Sequence, residues 1–185
     1  MENSTPRWIL ERWTAEIEAS GVDDHRIVLT QLKARAEAIN RIPPLTVCVN
    51  RARYGVSDFY KKAQEAGADP RPGDYAPDAV SFEAGDFSVV RGFMENGDCH
   101  AMDEAAQLVG VLLDPQPGVR VLDTCAAPGG KSLQAAALAG AGGEVLSLDI
   151  HGARLELLTR QAQLCGFDNL RTQEADSMQP LTGLE

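Results

Sequence analysis

The sequence predicts an α/β protein with a parallel sheet, and two observations carry that reading. From residue 119 the apolar pattern runs strand–helix–strand–helix–strand, the order that crossover connections impose on parallel strands. A Gly-rich turn joins the first of these strands to the first of these helices, at the carboxyl end of a strand, where such sheets bind ligands. The segment before it mixes helices and short strands differently, so a small α+β module is expected over 1–91 and the α/β unit over 92–185.

The elements follow in order. Thr5-Pro6 is a helix start, with Thr as N-cap and Pro in the first turn. Trp8, Ile9, Trp13 and Ile17 continue it at helical spacing until Gly21. A second helix is expected over 25–40, ended by Pro43-Pro44. Leu45 to Asn50 reads as a strand, Ser57 opens a helix closed by Gly67, and 69–78 is a loop. Short strands are expected at 79–83 and 86–91. Asp103 to Leu113 reads as an amphipathic helix and Asp114 to Gly118 as a turn. Val119 to Leu122 is predicted as a buried strand. A helix over 131–139, a strand over 144–148, a helix over 152–165 and a strand near 170–175 complete the chain.

Composition narrows the function. Apolar residues make up 44% of the 185, enough for a core. No apolar run reaches the length of a membrane span. The first residues lack a basic stretch leading into an apolar one, so no signal peptide is expected. Cys48, Cys99, Cys125 and Cys165 form no Cys-x-x-Cys pair, which speaks against zinc or a disulfide framework and for a reducing, cytoplasmic setting. The net charge of −10 argues against a generic nucleic-acid binder. The charge is uneven, however. Residues 1–71 hold 11 basic and 10 acidic side chains, and 72–185 hold 6 and 17. Any RNA contact therefore belongs to the first part, with Arg41, Arg51, Arg53, Lys61 and Lys62 interleaved with Tyr54, Phe59 and Tyr60. The alternative is an ordinary solvated face.

Chemistry concentrates in Val121-Leu-Asp-Thr-Cys-Ala-Ala-Pro-Gly-Gly-Lys131. Gly129 and Gly130 allow a tight turn, and the following helix offers its positive end to a ligand. Gly130-Lys131-Ser132 suggests a phosphate-cradling Walker loop, but the required first Gly is Cys125. A dinucleotide fingerprint ending at Gly130 needs Gly where Cys125 and Ala127 stand. Both patterns fail, which favours a nucleoside without a pyrophosphate. Asp149 ends the next strand, 19 residues after Gly130. It is placed either to accept from a ribose or to cap the helix that follows. Asp176, after the third strand, is either an acceptor for an adenine amino group or a solvated loop residue. Asp123 either holds the turn or meets a ligand's amino group.

Asp123-Thr-Cys-Ala-Ala-Pro-Gly-Gly-Lys131 resembles the first cofactor motif of the NOL1/NOP2/Sun group of RNA cytosine-5 methyltransferases, which includes the bacterial 16S ribosomal RNA enzymes. The likeness runs in order over roughly 6–180. Pro6-Arg-Trp-Ile-Leu-Glu-Arg-Trp13 looks like the family's entry helix. Pro43-Pro-Leu-Thr-Val-Cys-Val-Asn50 resembles its Pro-Pro-Leu…Arg-Val-Asn strand, with Cys48 where Arg is common. Asp103-Glu-Ala-Ala-Gln107 resembles its Asp-Glu-Ala-Ser-Gln helix start. The resemblance implies a Rossmann-like class I methyltransferase domain with S-adenosylmethionine at Cys125, Ala126, Ala127, Pro128, Gly129, Gly130, Lys131, Asp149 and Asp176. It also implies an RNA-binding module over 1–91 and RNA, ribosomal by the bacterial likeness, as partner.

The family attacks carbon 6 of cytosine with a Cys thiolate, so that carbon 5 takes the methyl group. Its Asp-Ala-Pro-Cys run is not present, and no Thr-Cys pair follows the third strand. The expectation is an incomplete domain holding the first three strands of its sheet, inactive alone, with an unpaired edge on the 119–122 strand. A complementing C-terminal chain would supply the rest. Two other readings remain: a non-catalytic S-adenosylmethionine- or RNA-binding module, and an unrelated nucleotide-binding α/β protein such as an NTPase.

Overall fold

The computed structural model describes residues 5–181; residues 1–4 and 182–185, which include both chain ends considered above, lie outside the described residues. The chain divides into two compact units, 1–43 and 44–185. In the first, α1 (Arg7–Ala19) packs on α2 (His25–Ile39). Arg35 ties the pair by reaching Glu16 at 3.5 Å and lying 6.0 Å over the Trp13 ring. Asp24 caps α2 by accepting from the Arg26 amide at 2.8 Å. Thr5 does not cap α1 as expected. Pro6, with ψ 144°, stands outside the helix and occupies the N-cap position itself.

The second unit contains two sheets. The first is antiparallel, in the order β2 (Arg71–Pro72), β3 (Ala79–Phe82), β1 (Leu45–Val49), β4 (Cys99–Ala101). Alternate residues of β1 and β3 send Val47, Val49, Val80 and Phe82 into one core. There they meet Phe59 of α3 (Val56–Glu65) and Phe93 of α4 (Phe87–Glu95), whose rings cross edge to face at 5.3 Å. Each such side chain contributes roughly 1.5–3 kcal/mol when fully buried. The strand expected at 86–91 is instead α4, preceded by a short 3-10 turn. Val89-Val90 suggests a strand by propensity, but Val90, Phe93 and Met94 share a face only at helical spacing. The structure adds β4, and β2 lies inside the expected 69–78 loop.

The second sheet is parallel, in the order β5 (Arg120–Asp123), β6 (Glu144–Asp149), β7 (Leu170–Glu174). It confirms the α/β, Rossmann-like reading. The crossovers are α6 (Gly130–Ala139) and α7 (Gly152–Cys165), preceded by α5 (Glu104–Leu113). Leu133 and Ala136 of α6, Val145 of β6 and Leu155, Leu158 and Ala162 of α7 form its core. The expectation that 119–122 is a buried strand is corrected. Among the described residues β5 is an edge, with Leu122 47% exposed.

Polar side chains bind the two sheets together. Gln107 Nε2 donates to the carbonyls of Met102 (2.8 Å) and Val47 (3.2 Å), and Gln134 Nε2 donates to that of Gln107 (3.0 Å). Asn50 Nδ2 donates to the carbonyls of Gly97 and Cys165, both at 2.9 Å. The two sheets thus share one compact unit, and the structural units divide the chain elsewhere than at 91/92. No helix among the described residues is long and apolar enough to cross a membrane.

Candidate functional site

The register of the parallel sheet sets Asp123 opposite Ser147 and Asp149 opposite Glu174, so both acids stand at the carboxyl edge. The turn between them is held chiefly by its own amides. Cys125 N–H donates to Asp123 Oδ1 (3.2 Å), Ala126 N–H to the Leu148 carbonyl (2.9 Å) and Ala127 N–H to Asp149 Oδ2 (3.1 Å). Ser132 Oγ donates to the other oxygen of Asp123 at 2.7 Å. Asp123 therefore holds the turn, one of the two roles considered for it. Ser132, considered only as part of a failed Walker match, is its partner.

The peptide from Ala127 to Pro128 is cis, and Gly129 takes φ +118°. That angle is open to glycine alone at low cost. A Cβ at Gly129 would also come within 2.3 Å of Leu158 Cδ1. The turn thus lies flush against α7. With the amides of 125–127 engaged internally and Pro128 lacking one, the free donors are those of the first turn of α6. Lys131 extends from that turn and is exposed.

Asp149 does not cap α7; His151 holds that position, and Asp149 Oδ1 accepts from the His151 amide at 3.0 Å. This bond, with that from Ala127, draws the carboxyl of Asp149 below its ordinary value. Each carboxylate oxygen accepts one backbone bond and retains a further lone pair for a ligand hydroxyl. Half-buried Asp149 is thus ionised, oriented and still able to accept. Asp176 is exposed beyond β7 and accepts from the Met178 amide at 2.9 Å.

His100 was not anticipated from the sequence. It lies on β4, buried, with Nε2 3.2 Å from the carbonyl of Gly130. A lone polar residue in a short apolar strand ahead of the motif was the available signal.

Of the basic residues named for RNA, Arg41 lies in the first unit, Arg51 and Arg53 follow β1, and Lys61 and Lys62 are on α3; three are engaged within the chain. Arg51 pairs with buried Asp78 at 2.8 Å. Arg53 donates to the carbonyls of Asn96 and Leu164 and lies 3.4 Å from Asp98. Lys62 reaches Asp98 Oδ2 at 2.9 Å and the Tyr54 hydroxyl at 2.7 Å. Lys61 and Arg41 are exposed, while Phe59 is fully within the core.

The cysteines fall into two kinds. Burial raises the thiol of Cys48 to about 12 and that of Cys165 to about 11, and it raises Cys99 further still. Cys125 is exposed in the turn. No group of three or more His, Cys, Asp or Glu among the described residues is arranged to hold a metal ion. A cavity of about 530 Å³ opens at the amino ends of the parallel strands, lined by Arg120, Glu144, Asn169 and Arg171. It lies at the opposite end of the sheet from the turn.

Comparison with known proteins bears on the site. Residues 110–184 match the family model described as 16S rRNA methyltransferase RsmB/F. The chain is 32% identical over 180 residues to the probable ribosomal RNA small subunit methyltransferase B of Bacillus subtilis, covering 95% of this chain and 37% of that protein. It is 32% identical over 170 residues to the ribosomal RNA small subunit methyltransferase B of Citrobacter koseri, covering 90% and 34%. The structure of a methyltransferase homologue from Pyrococcus horikoshii superposes with a TM-score of 0.70 at 26% identity, over 77% of this chain and 47% of that one. The chain spans about a third of the length of these two curated relatives.

Proposed function

We propose, from the match of residues 110–184 to the 16S rRNA methyltransferase RsmB/F model and the likeness to ribosomal RNA small subunit methyltransferase B, that this chain is part of a member of that family and that residues 92–185 hold S-adenosylmethionine for methylation of carbon 5 of a cytosine in ribosomal RNA. The cofactor, when bound, supplies a methyl group on a sulfonium. Asp149 accepts from its ribose hydroxyls. The free amides at the start of α6 and Lys131 receive its carboxylate, and Asp176 accepts from the adenine amino group. Cys125 to Gly130 form the wall between these groups. The observation that carries this reading is the bond from Ala127 to Asp149: one carboxylate at the end of β6 holds the turn that follows β5 and still has acceptor capacity for a ligand.

Residues 1–91 act as the RNA module. Lys61 is the exposed contact, while Arg51, Arg53 and Lys62 meet phosphate only in exchange for their carboxylate partners. The 185 residues bind cofactor without turning over. A nucleophile must be a thiolate near neutral pH. Cys48, Cys99 and Cys165 are held protonated by burial, and Cys125 stands in the cofactor wall.

Calorimetric titration of the chain with S-adenosylmethionine is the test. Asp149→Ala should weaken binding by about tenfold or more, since a charge-assisted hydrogen bond contributes roughly 1.5–3 kcal/mol. Unchanged affinity in that variant would remove Asp149 from the site. Absence of binding by the folded wild-type chain would overturn the cofactor reading for these residues.

A further inference from the structure

β4 places Cys99 and His100 on opposite sides of the antiparallel sheet. Cys99 joins the Phe59 core, while His100 stands opposite Cys48 in register and faces the other way. The residue is 6% exposed, and its Nε2 lies 3.2 Å from the carbonyl oxygen of Gly130, the first residue of α6. A carbonyl only accepts, so Nε2 carries the proton and Nδ1 is a bare acceptor. Nδ1 is buried with no partner among the described residues.

That arrangement is costly for a residue that merely fills space. A buried acceptor left unpaired costs about 1–3 kcal/mol, and an apolar side chain of similar volume would avoid it. The surroundings indicate what the ring contributes. A Cβ on Gly130 would sit 3.4 Å from Met102 Sδ and 3.9 Å from His100 Cδ2, while Gly129 abuts Leu158. The double glycine is therefore gripped from two sides, by α7 through Leu158 and by the antiparallel sheet through His100 and Met102. The His100 bond is the directional part of that grip.

We propose that His100 is a positioning residue for the cofactor turn: its Nε2–H, bonded to the Gly130 carbonyl, fixes the first turn of α6 so that the free amides there face the ligand. This rests on the reading of the turn as the S-adenosylmethionine site, but the strut itself can be measured without ligand. Gln places an amide nitrogen where Nε2 stands, Asn places one only as far as Nδ1, and Phe keeps the ring and loses the donor.

The experiment compares His100→Gln, His100→Asn and His100→Phe in the full chain by amide hydrogen exchange over 126–134, and by calorimetric titration with S-adenosylmethionine. Phe and Asn should exchange about fivefold or more faster in that segment, with 45–82 unchanged, and bind about tenfold more weakly. Gln should restore both to within about threefold of wild type. Should Phe not fold, the Gln and Asn pair decides alone. Wild-type exchange and affinity in Phe and Asn, or a Gln variant as impaired as Asn, would overturn the proposal. Failure of the wild type to bind would defeat the cofactor reading, and the exchange comparison would still decide the strut.

Discussion

The carboxylate of Asp149 and the ring of His100 approach the same turn with opposite electrostatics. Asp149 is ionised because amides converge on it, so acidification reaches it only below the ordinary carboxylate range. His100 is neutral because it is buried, and burial lowers its pKa from 6.5 to about 4. The unfolded chain therefore takes up a proton at this residue between pH 6.5 and 4 that the folded ring does not. The stability linked to His100 is fully present above pH 6.5 and is lost as the pH falls through that window. The loss is on the order of 3 kcal/mol. Denaturant midpoints for wild type and His100→Gln, measured from pH 7.5 to 4, should lie close together near neutrality and separate towards acid, the wild type alone losing this contribution. Parallel curves would mean that the ring is already accessible to solvent protons in the folded state.

Among the elements, the loop and helix that carry Arg53 and Lys62 show how a basic residue can serve the fold. Asp98 is buried beside them, and Lys62 lies 4.5 Å over the Tyr54 ring and 5.5 Å over that of Phe93. The hydrogen bond to Asp98 is the first cause of the raised pKa of Lys62. Lys62→Met should cost about 1–2 kcal/mol, discounted from the value for a buried pair because the lysine is 38% exposed. A thermal melt beside an RNA filter-binding assay separates the two roles: a lower melting temperature marks a fold residue, and weaker binding at an unchanged melting temperature marks an RNA contact. Composition could not reveal this pairing, because Asp98 lies 36 residues away along the chain. By contrast, the elements of the parallel sheet were legible, because Gly, Pro and apolar period act locally. The same holds for the turn, where Gly129 needs a positive φ. The local rule failed at 86–91, where Val89-Val90 favours a strand and tertiary packing imposes a helix. It missed β4, whose three residues are defined by pairing with β1.

At the scale of the whole molecule, the parallel sheet has two outer edges. β6 pairs on both sides, whereas the outer edges of β5 and β7 have no strand partner among the described residues. Leu122 is 47% exposed on β5, and Leu112 and Leu113 at the end of α5 are 85% and 53% exposed. Unpaired backbone donors and acceptors beside exposed leucine form a template for pairing with another strand. A net charge of −10 opposes association at low salt, and raising the salt screens that repulsion. Self-association should therefore grow with both protein concentration and ionic strength, the reverse of an assembly held by ion pairs. Sedimentation velocity at low and high salt reads this directly. Leu122→Lys places a charge on the edge, as natural edge strands do, and should shift the association constant down by about tenfold. Because Leu122 is half exposed, the same change should leave the unfolding midpoint nearly unaltered, within about 0.5 kcal/mol. Monodisperse wild-type chain at every concentration and salt would show that β5 is protected by its twist or by Arg120. A variant that loses stability as well as association would show that Leu122 belongs to the core and not to the edge.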